Sequence, residues 1–294
     1  MEHPKVAVIV LNWNGLDDTV ECLESLRKIS YPNYAVVVVD NGSEGDDVRV
    51  LKEKFGDYVH VVENERNYGF AEGNNIGIRY SLNALEPAYL LLLNNDMVVA
   101  PDFLEELVRV AESDTGIGIL GPTSYRYGPK GMDKNIHCAG ARIRWWRPRL
   151  YAIIVEKSGD PLEPQGVRAV DWVSGAAMML KRCVIEELSL LNPRYFFGNE
   201  DVEYCLRARK SGFKIVNVPT AKVWHKIGRS RKKLAISVDY IVKQIVNHYR
   251  LIYRNFPIPV FVYHVLLSPV FLISPLYHYM LKYGIRERLS ALQL

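Results

Sequence analysis

An α/β protein built on a mostly parallel, doubly wound sheet is what this sequence predicts, from three observations. Apolar runs recur at Lys5–Leu11 (KVAVIVL), Tyr34–Val39 (YAVVVV) and Ala88–Leu93 (AYLLLL). Runs of this kind suit strands buried on both faces. Segments with helical spacing separate them, and strand–helix alternation means a parallel sheet. Each run also stops abruptly at Asn or Asp, and open α/β sheets bind ligands at the carboxyl ends of their strands.

In chain order, the first strand is followed by a helix over Asp17–Ile29, with Val20, Leu23, Leu26 and Ile29 on one side. Tyr34–Val39 ends in Asp40-Asn-Gly-Ser43. A helix over Asp47–Phe55 and a strand over Tyr58–Val62 come next, then a helix over Gly73–Leu82. The fourth strand runs into Asn94-Asn-Asp96. Pro101 opens the next helix at its first turn, where Pro is tolerated, and this helix reaches about Glu112. From Pro122 to Arg168 the pattern loosens into a Gly-, Pro-, Arg- and Trp-rich stretch that reads as an insertion. Order returns with a strand over Val170–Leu180, helices over Val184–Leu191 and Glu200–Ser211, a strand over Lys214–Val218 and a helix over Val238–Tyr253. The expected organisation is a domain over 1–235, with halves 1–121 and 122–235, and an apolar helical tail over 236–294.

Hydrophobic residues make up 49% of the 294 and charged residues 24%, which suits a packed core rather than disorder. The net charge of +4 is too small for a nucleic-acid binder. Cys22, Cys138, Cys183 and Cys205 lack the paired spacing of a zinc site. They read as free thiols of a reducing compartment. The N-terminus has no signal-peptide layout, so the folded part is expected on the cytoplasmic side. From Asn255 to Leu281 no Asp, Glu, Lys or Arg occurs, a length sufficient to cross a hydrocarbon core. Pro257, Pro259, Pro269 and Pro275 interrupt it. The cluster Lys226–Lys233 (KIGRSRKK) precedes it and suits anionic lipid head groups. Membrane contact is the expectation, and a helical hairpin forming a homodimer is the alternative.

Four polar clusters fall at strand ends: Asn12 and Asn14, Asp40–Ser43, Asn67–Asn75, and Asn94–Asp96. In a parallel sheet they converge on one edge, where a nucleotide diphosphate is the natural occupant. Asp96 can there hold a divalent metal against phosphate oxygens. Asn94, Asn95 and Asp96 are equally ordinary turn residues.

The strings VVVVDNGS, NERNYGFAEGNNIGI, LLLLNNDMVV, VSGAAMMLKR, FFGNEDVEYCLRARKSGFKI and VWHKIGRS occur in this order. Together they resemble the signatures of family 2 glycosyltransferases with a GT-A fold, in the rhamnosyltransferase-like subgroup, over roughly residues 4–230. The resemblance implies an inverting transfer of a sugar from a nucleotide-diphosphate donor, UDP- or dTDP-linked, to an acceptor hydroxyl. It matches Asp40, with Asn41 beside it, to base recognition; capping its own turn is the alternative. Asn67, Gly69 and Asn75 match the segment that wraps the donor, and Asn12, Asn14, Asn94 and Asn95 join the donor edge.

Asn95-Asp96 matches the D-x-D region, with Asn94 in place of its first Asp. Asp96 is then the principal metal ligand. His225 completes the metal or diphosphate site, with Mn2+ or Mg2+ as the ion. Glu200-Asp201 matches the acidic pair at a helix start. Asp201 takes the role of base and Glu200 binds the acceptor or raises its neighbour's pKa. A helix N-terminus stabilised by acidic residues is the plain alternative. Trp172, Gly175 and Ala176 match the acceptor side, where Trp172 either stacks on a sugar or packs in the core. Arg142, Arg144, Arg147 and Arg149 with Trp145 and Trp146 form a basic aromatic patch.

The apolar tail and basic patches point to a lipid-linked glycan or a polyprenyl phosphate as the acceptor. A sugar nucleotidyltransferase should carry a basic Gly-rich loop where this chain has Asn12-Trp-Asn-Gly15. A dehydrogenase should carry G-x-G-x-x-G there. A non-catalytic scaffold would have no use for Asp96, Asp201 and His225 together.

Overall fold

The computed structural model describes residues 3–128, 131–143, 153–155, 166–226 and 238–267. The expected parallel half is present. Strands β1 (Val6–Asn12), β2 (Tyr34–Asp40), β3 (Val59–Glu63) and β4 (Tyr89–Asn94) pair in the order β3-β2-β1-β4, all parallel. Side chains alternate across this sheet. Val6, Val8, Val10, Val36, Val38, Leu91 and Leu93 pack on one face, against α1 (Leu16–Leu26), α2 (Asp47–Phe55) and α4 (Phe103–Ser113). Ile9, Val37, Val39, Leu90 and Leu92 pack on the other, against α3 (Gly69–Ala84), α5 (Arg182–Leu188) and α6 (Glu200–Lys210). Both faces are buried, which is why these strands are apolar throughout rather than alternating.

Beyond β4 the sheet becomes mixed. Strand β11 (Ala177–Lys181) runs antiparallel to β4 and to β6 (Ile117–Gly128). Strand β12 (Lys214–His225) then lies parallel to β6. The short β5 (Met97–Val99) and β10 (Arg168–Ala169) pair antiparallel with β12, and β7 (Gly131–Cys138) pairs with β6. A separate ribbon joins β8 (Ala141–Ile143) to β9 (Ile153–Val155).

Several expectations are corrected. Strand β6 passes through Gly121, and the halves expected on either side of it share one sheet. Within the stretch expected to be a loose insertion, β6 continues to Gly128, and Gly131–Cys138 and Ala141–Ile143 are strands. The strand expected over Val170–Leu180 shrinks to β11, because Gly175 and Ala176 form a turn, with Ala177 N–H donating to Ser174 O at 3.1 Å. Strand β12 is longer than Lys214–Val218. Its register shifts between Val218 and Lys222, so Pro219, which has no N–H to donate, lies in an irregularity rather than in a paired ladder. Helix α3 begins at Gly69 rather than Gly73.

Helix α7 (Val238–Asn255) is as expected, and a further helical stretch covers 258–267 after Pro257. Among the described residues no helix is long and apolar enough to cross a membrane. The rest of the apolar stretch, to Leu281, lies outside the described residues, as do Arg144–Arg149 and the basic run after Lys226. Lys226 itself is buried and ion-paired to Asp18 at 2.9 Å and to Glu21, so it is not offered to lipid.

Candidate active site

The ends of β1 and β2 form a closed polar network. Asn12 lies opposite Asp40 in register. It is fully buried and donates to Asp40 Oδ2 at 2.8 Å and Asp47 Oδ2 at 2.9 Å, while Thr19 Oγ1 donates to its Oδ1 at 2.7 Å. Asp40 also accepts from Ser43 N–H at 2.9 Å and Ser43 Oγ at 2.6 Å, so it caps its own turn. Asn14 accepts from Glu44 N–H at 2.8 Å. Asn41 donates to Asn67 Oδ1 at 2.9 Å and accepts from Asn64 at 3.0 Å. Asn67 caps the turn into Gly69 through the Gly69 N–H at 2.8 Å.

Asn12, Asn75 and Asn95, expected at the donor, have their side-chain amides engaged within the fold. Asn95 Nδ2 donates to Thr19 Oγ1 at 2.9 Å, tying the turn after β4 to α1. Asn75 clasps Leu191 at two points, N–H and C=O, at 3.0 and 2.9 Å. An amide that satisfies two backbone groups across a fold is held by their desolvation cost. Asn94 differs: its backbone N–H donates to Ala176 O at 2.8 Å and its side chain sits half-buried at the end of β4. Gly69 has φ of +84°, and a Cβ there would lie 2.5 Å from Phe196 O, so no other residue fits beneath the 196–199 loop.

The second cluster is less satisfied. Asp96 follows the turn after β4 and is 3% exposed. Antiparallel pairing of β5 with β12 sets His225 opposite Met97, which brings the His225 Nε2 to 3.2 Å from Asp96 Oδ1. The pair is not aligned as a hydrogen bond, and Asp96 Oδ1 is buried without a partner. Lys226 N–H donates to Asp96 O at 3.0 Å and fixes the approach. A buried carboxylate oxygen lacking a donor, beside an imidazole nitrogen, is a donor set suited to a divalent cation. Adjacent ligands of an octahedral ion with roughly 2.0–2.1 Å bonds stand about 3 Å apart, close to the separation seen. Among the described residues no group of three His, Cys, Asp or Glu is close enough to hold an ion without help, so phosphate oxygens or waters would complete the shell.

No local pattern in the sequence singles out His137. Its ring stands edge-on to that of His225, with centroids 5.3 Å apart. It reaches the site because β7 folds back along β6, a hairpin read from the sequence as loose insertion. Both histidines, with Ser124, Val173, Ser174 and Ala176, line a small cleft.

The acidic pair opens α6. Asn199 precedes it in a left-handed conformation, φ 71°. Asp201 Oδ2 accepts the Gly175 N–H at 2.9 Å and Oδ1 accepts the Val202 N–H at 2.8 Å. A Cβ at Gly175 would lie 3.1 Å from Asp201 Cβ and 3.3 Å from Phe70, which is why this turn carries glycine. Glu200 is buried with Oε2 unpartnered. Burial, and then the neighbouring Asp201 charge, push its pKa up to about 8. Burial also raises Asp201, opposed by the N–H groups of Gly175 and Val202. Glu203 is taken by Arg207 at 3.1 Å. Trp172 is buried, packed in the core on the α3 and α6 side of the sheet.

One turn joins the two clusters. Ala176 O holds Asn94 at the end of β4, and Gly175 N–H holds Asp201. The end of β4, two residues before Asp96, and the acidic pair are thereby tied to one turn.

Residues 3–244 match the family described as glycosyltransferase like family 2, and the chain belongs to that family. The low-salt glycan biosynthesis hexosyltransferase of Haloferax volcanii is 26% identical over 71% of this chain. The chain spans 63% of that relative's length. The dTDP-rhamnosyl transferase of Shigella flexneri is 27% identical over 85% of this chain and 78% of its own. A mannosyltransferase from Pyrobaculum calidifontis, solved with GDP-Man and Mn2+, superposes with a TM-score of 0.60 at 19% identity. That match covers 93% of this chain and 71% of the other, and the shared architecture is the GT-A fold.

Proposed function

We propose that the protein is an inverting glycosyltransferase that moves a sugar from a UDP- or dTDP-linked donor to an acceptor hydroxyl. The observation that carries this is the Ser174–Ala176 turn, which holds Asp201 and the β4 end to one backbone. Asp201 takes the acceptor proton as the hydroxyl attacks the anomeric carbon. Its raised pKa brings the base toward neutral pH, where a general base works best. The new C–O bond forms as the bond to the nucleoside diphosphate breaks, and the electron pair leaves with the diphosphate. Attack opposite the leaving group inverts the centre. A divalent ion between Asp96 and His225 would neutralise the charge on the departing diphosphate. The capped turn at Asp40 and the Asn41–Asn67 bridge give the donor edge a fixed shape. The Shigella flexneri relative, named as a dTDP-rhamnosyl transferase, supports a dTDP-linked donor.

The acceptor in this reading is a lipid-linked glycan met at the cytoplasmic face of a membrane. Val242, Val246, Tyr253, Ile258, Val262 and Leu266 expose large apolar side chains on the C-terminal helices, and such patches mark interaction surfaces. The free cysteines agree with a reducing compartment.

The test is release of nucleoside diphosphate from dTDP-rhamnose and from UDP-glucose, with manganese and with chelator. Metal-dependent release that Asp201→Asn abolishes supports the reading. Nucleotide binding without turnover on either donor, with a lipid-linked acceptor supplied, would favour a binding scaffold.

A further inference from the structure

The loop Tyr195–Asn199, which delivers the acidic pair, is held from two sides. On the donor side the Phe70 N–H donates to Phe196 O at 2.6 Å. On the other side lies α7, outside the segments that resemble known signatures. Gln244, Asn247 and Arg250 recur every three residues on α7 and so share one face of it. Gln244 Nε2 donates to Phe197 O at 2.7 Å. Asn247 Nδ2 donates to Phe197 O at 3.3 Å and Gly198 O at 3.2 Å. Arg250 donates to Asn247 Oδ1 at 3.0 Å, which fixes the amide so that its nitrogen faces the loop. Arg250 also donates to Arg194 O at 2.8 Å. Gln244 and Asn247 are both buried.

The backbone they hold is unusual. Gly198 and Asn199 are consecutive left-handed residues, with φ of 89° and 71°. Asn is the non-glycine type that most readily adopts this conformation, so the sequence suits the reversal. A Cβ at Gly198 would lie 2.8 Å from Gln244 Oε1, so α7 presses directly on the reversal that aims Glu200 and Asp201.

We propose that Gln244 and Asn247 are positioning residues for the transfer reaction: an amide clamp on α7 that holds the left-handed turn before α6 and thereby sets Asp201 against the Gly175 turn. This rests on the reading of Asp201 as the base. The clamp makes the C-terminal helix part of the active-site framework and not merely an appendage.

The experiment uses the full chain with Gln244→Ala, Asn247→Ala and the double variant. Three quantities are read: amide hydrogen exchange over 194–203, calorimetric affinity for dTDP with manganese, and turnover of dTDP-rhamnose. The clamp predicts faster exchange in 194–203, unchanged dTDP affinity, and kcat lower by roughly ten- to a hundredfold, the scale of a small misplacement of a reacting group. Unchanged exchange in that loop, unchanged kcat, or an equal loss of dTDP affinity would overturn it. If the double variant does not fold, the single variants decide by the same criteria. Should Asp201→Asn keep full turnover, the base assignment falls, and the exchange arm still decides whether the clamp holds the loop.

Discussion

The two polar clusters at the sheet edge are built on opposite principles. Around Asn12, Asp40 and Asn41 nearly every buried donor meets an acceptor, and the bonds run between loops that follow β1, β2 and β3. Around Asp96 and Glu200 two carboxylate oxygens are buried without a hydrogen-bond partner. A buried polar group that is left unmatched costs stability, and such groups cluster where chemistry needs them. In the proposed reading, the contrast separates a scaffold that shapes the donor edge from the groups that act on the reacting atoms. Type of residue alone does not separate them, since Asn95 and Asp96 are adjacent and fall on opposite sides of the divide.

Substitutions should follow that divide. The largest effect is expected for Asp201→Asn, which lowers turnover about 10²- to 10⁴-fold, the usual worth of a general base, with dTDP affinity retained in calorimetry. Next, Asp96→Asn should remove the manganese-dependent part of nucleotide binding while the apo melting temperature holds or rises. The rise follows because an amide costs less to bury than a charge.

A smaller effect, confined to the pH dependence of stability, is expected for Glu200→Gln. Burial and the Asp201 charge keep Glu200 protonated where Asp201 ionises, so the acidic limb of the rate profile should stay in place. The same change alters stability. Glu200 is raised from 4.5 to about 8 in the fold, so the stability it contributes is full below about 4.5 and is lost as pH rises through about 8. Glu200→Gln should therefore gain on the parent in melting temperature as pH rises from 5 to 9. An advantage that is flat across that range would show that Glu200 does not ionise there.

The smallest effect on chemistry is expected for Asn12→Ala. It strips a donor from both Asp40 and Asp47, at a cost of about 1–3 kcal/mol, and turnover per folded molecule should stay near that of the parent. A loss of turnover matching that of Asp201→Asn would break the comparison.

The strands, the order of the elements and the acidic helix start were legible because each rests on local pattern: apolar runs, Asn and Asp punctuation, acidic residues before a helix. Asp96 with His225 was legible only through resemblance, since 129 positions separate them and β5–β12 pairing brings them together. His137 and the α7 clamp were not legible. His137 depends on a hairpin whose short, polar β7 has no apolar run, and Gln244 and Asn247 look like ordinary solvent-facing positions of an amphipathic helix. The internal bonds of the asparagines were hidden for a related reason. Residue type says that a strand end is polar, while only the loop crossings say whether its amides face a ligand or each other.

The most direct measurement is the melting temperature of the parent, Asn12→Ala and Asp96→Asn proteins with dTDP, with and without manganese. A ligand that binds only the native state raises the melting temperature by mass action. The account predicts a manganese-dependent rise for the parent, the same rise from a lower baseline for Asn12→Ala, and none for Asp96→Asn. An intact rise in Asp96→Asn together with its loss in Asn12→Ala would contradict the division between framework and reacting groups.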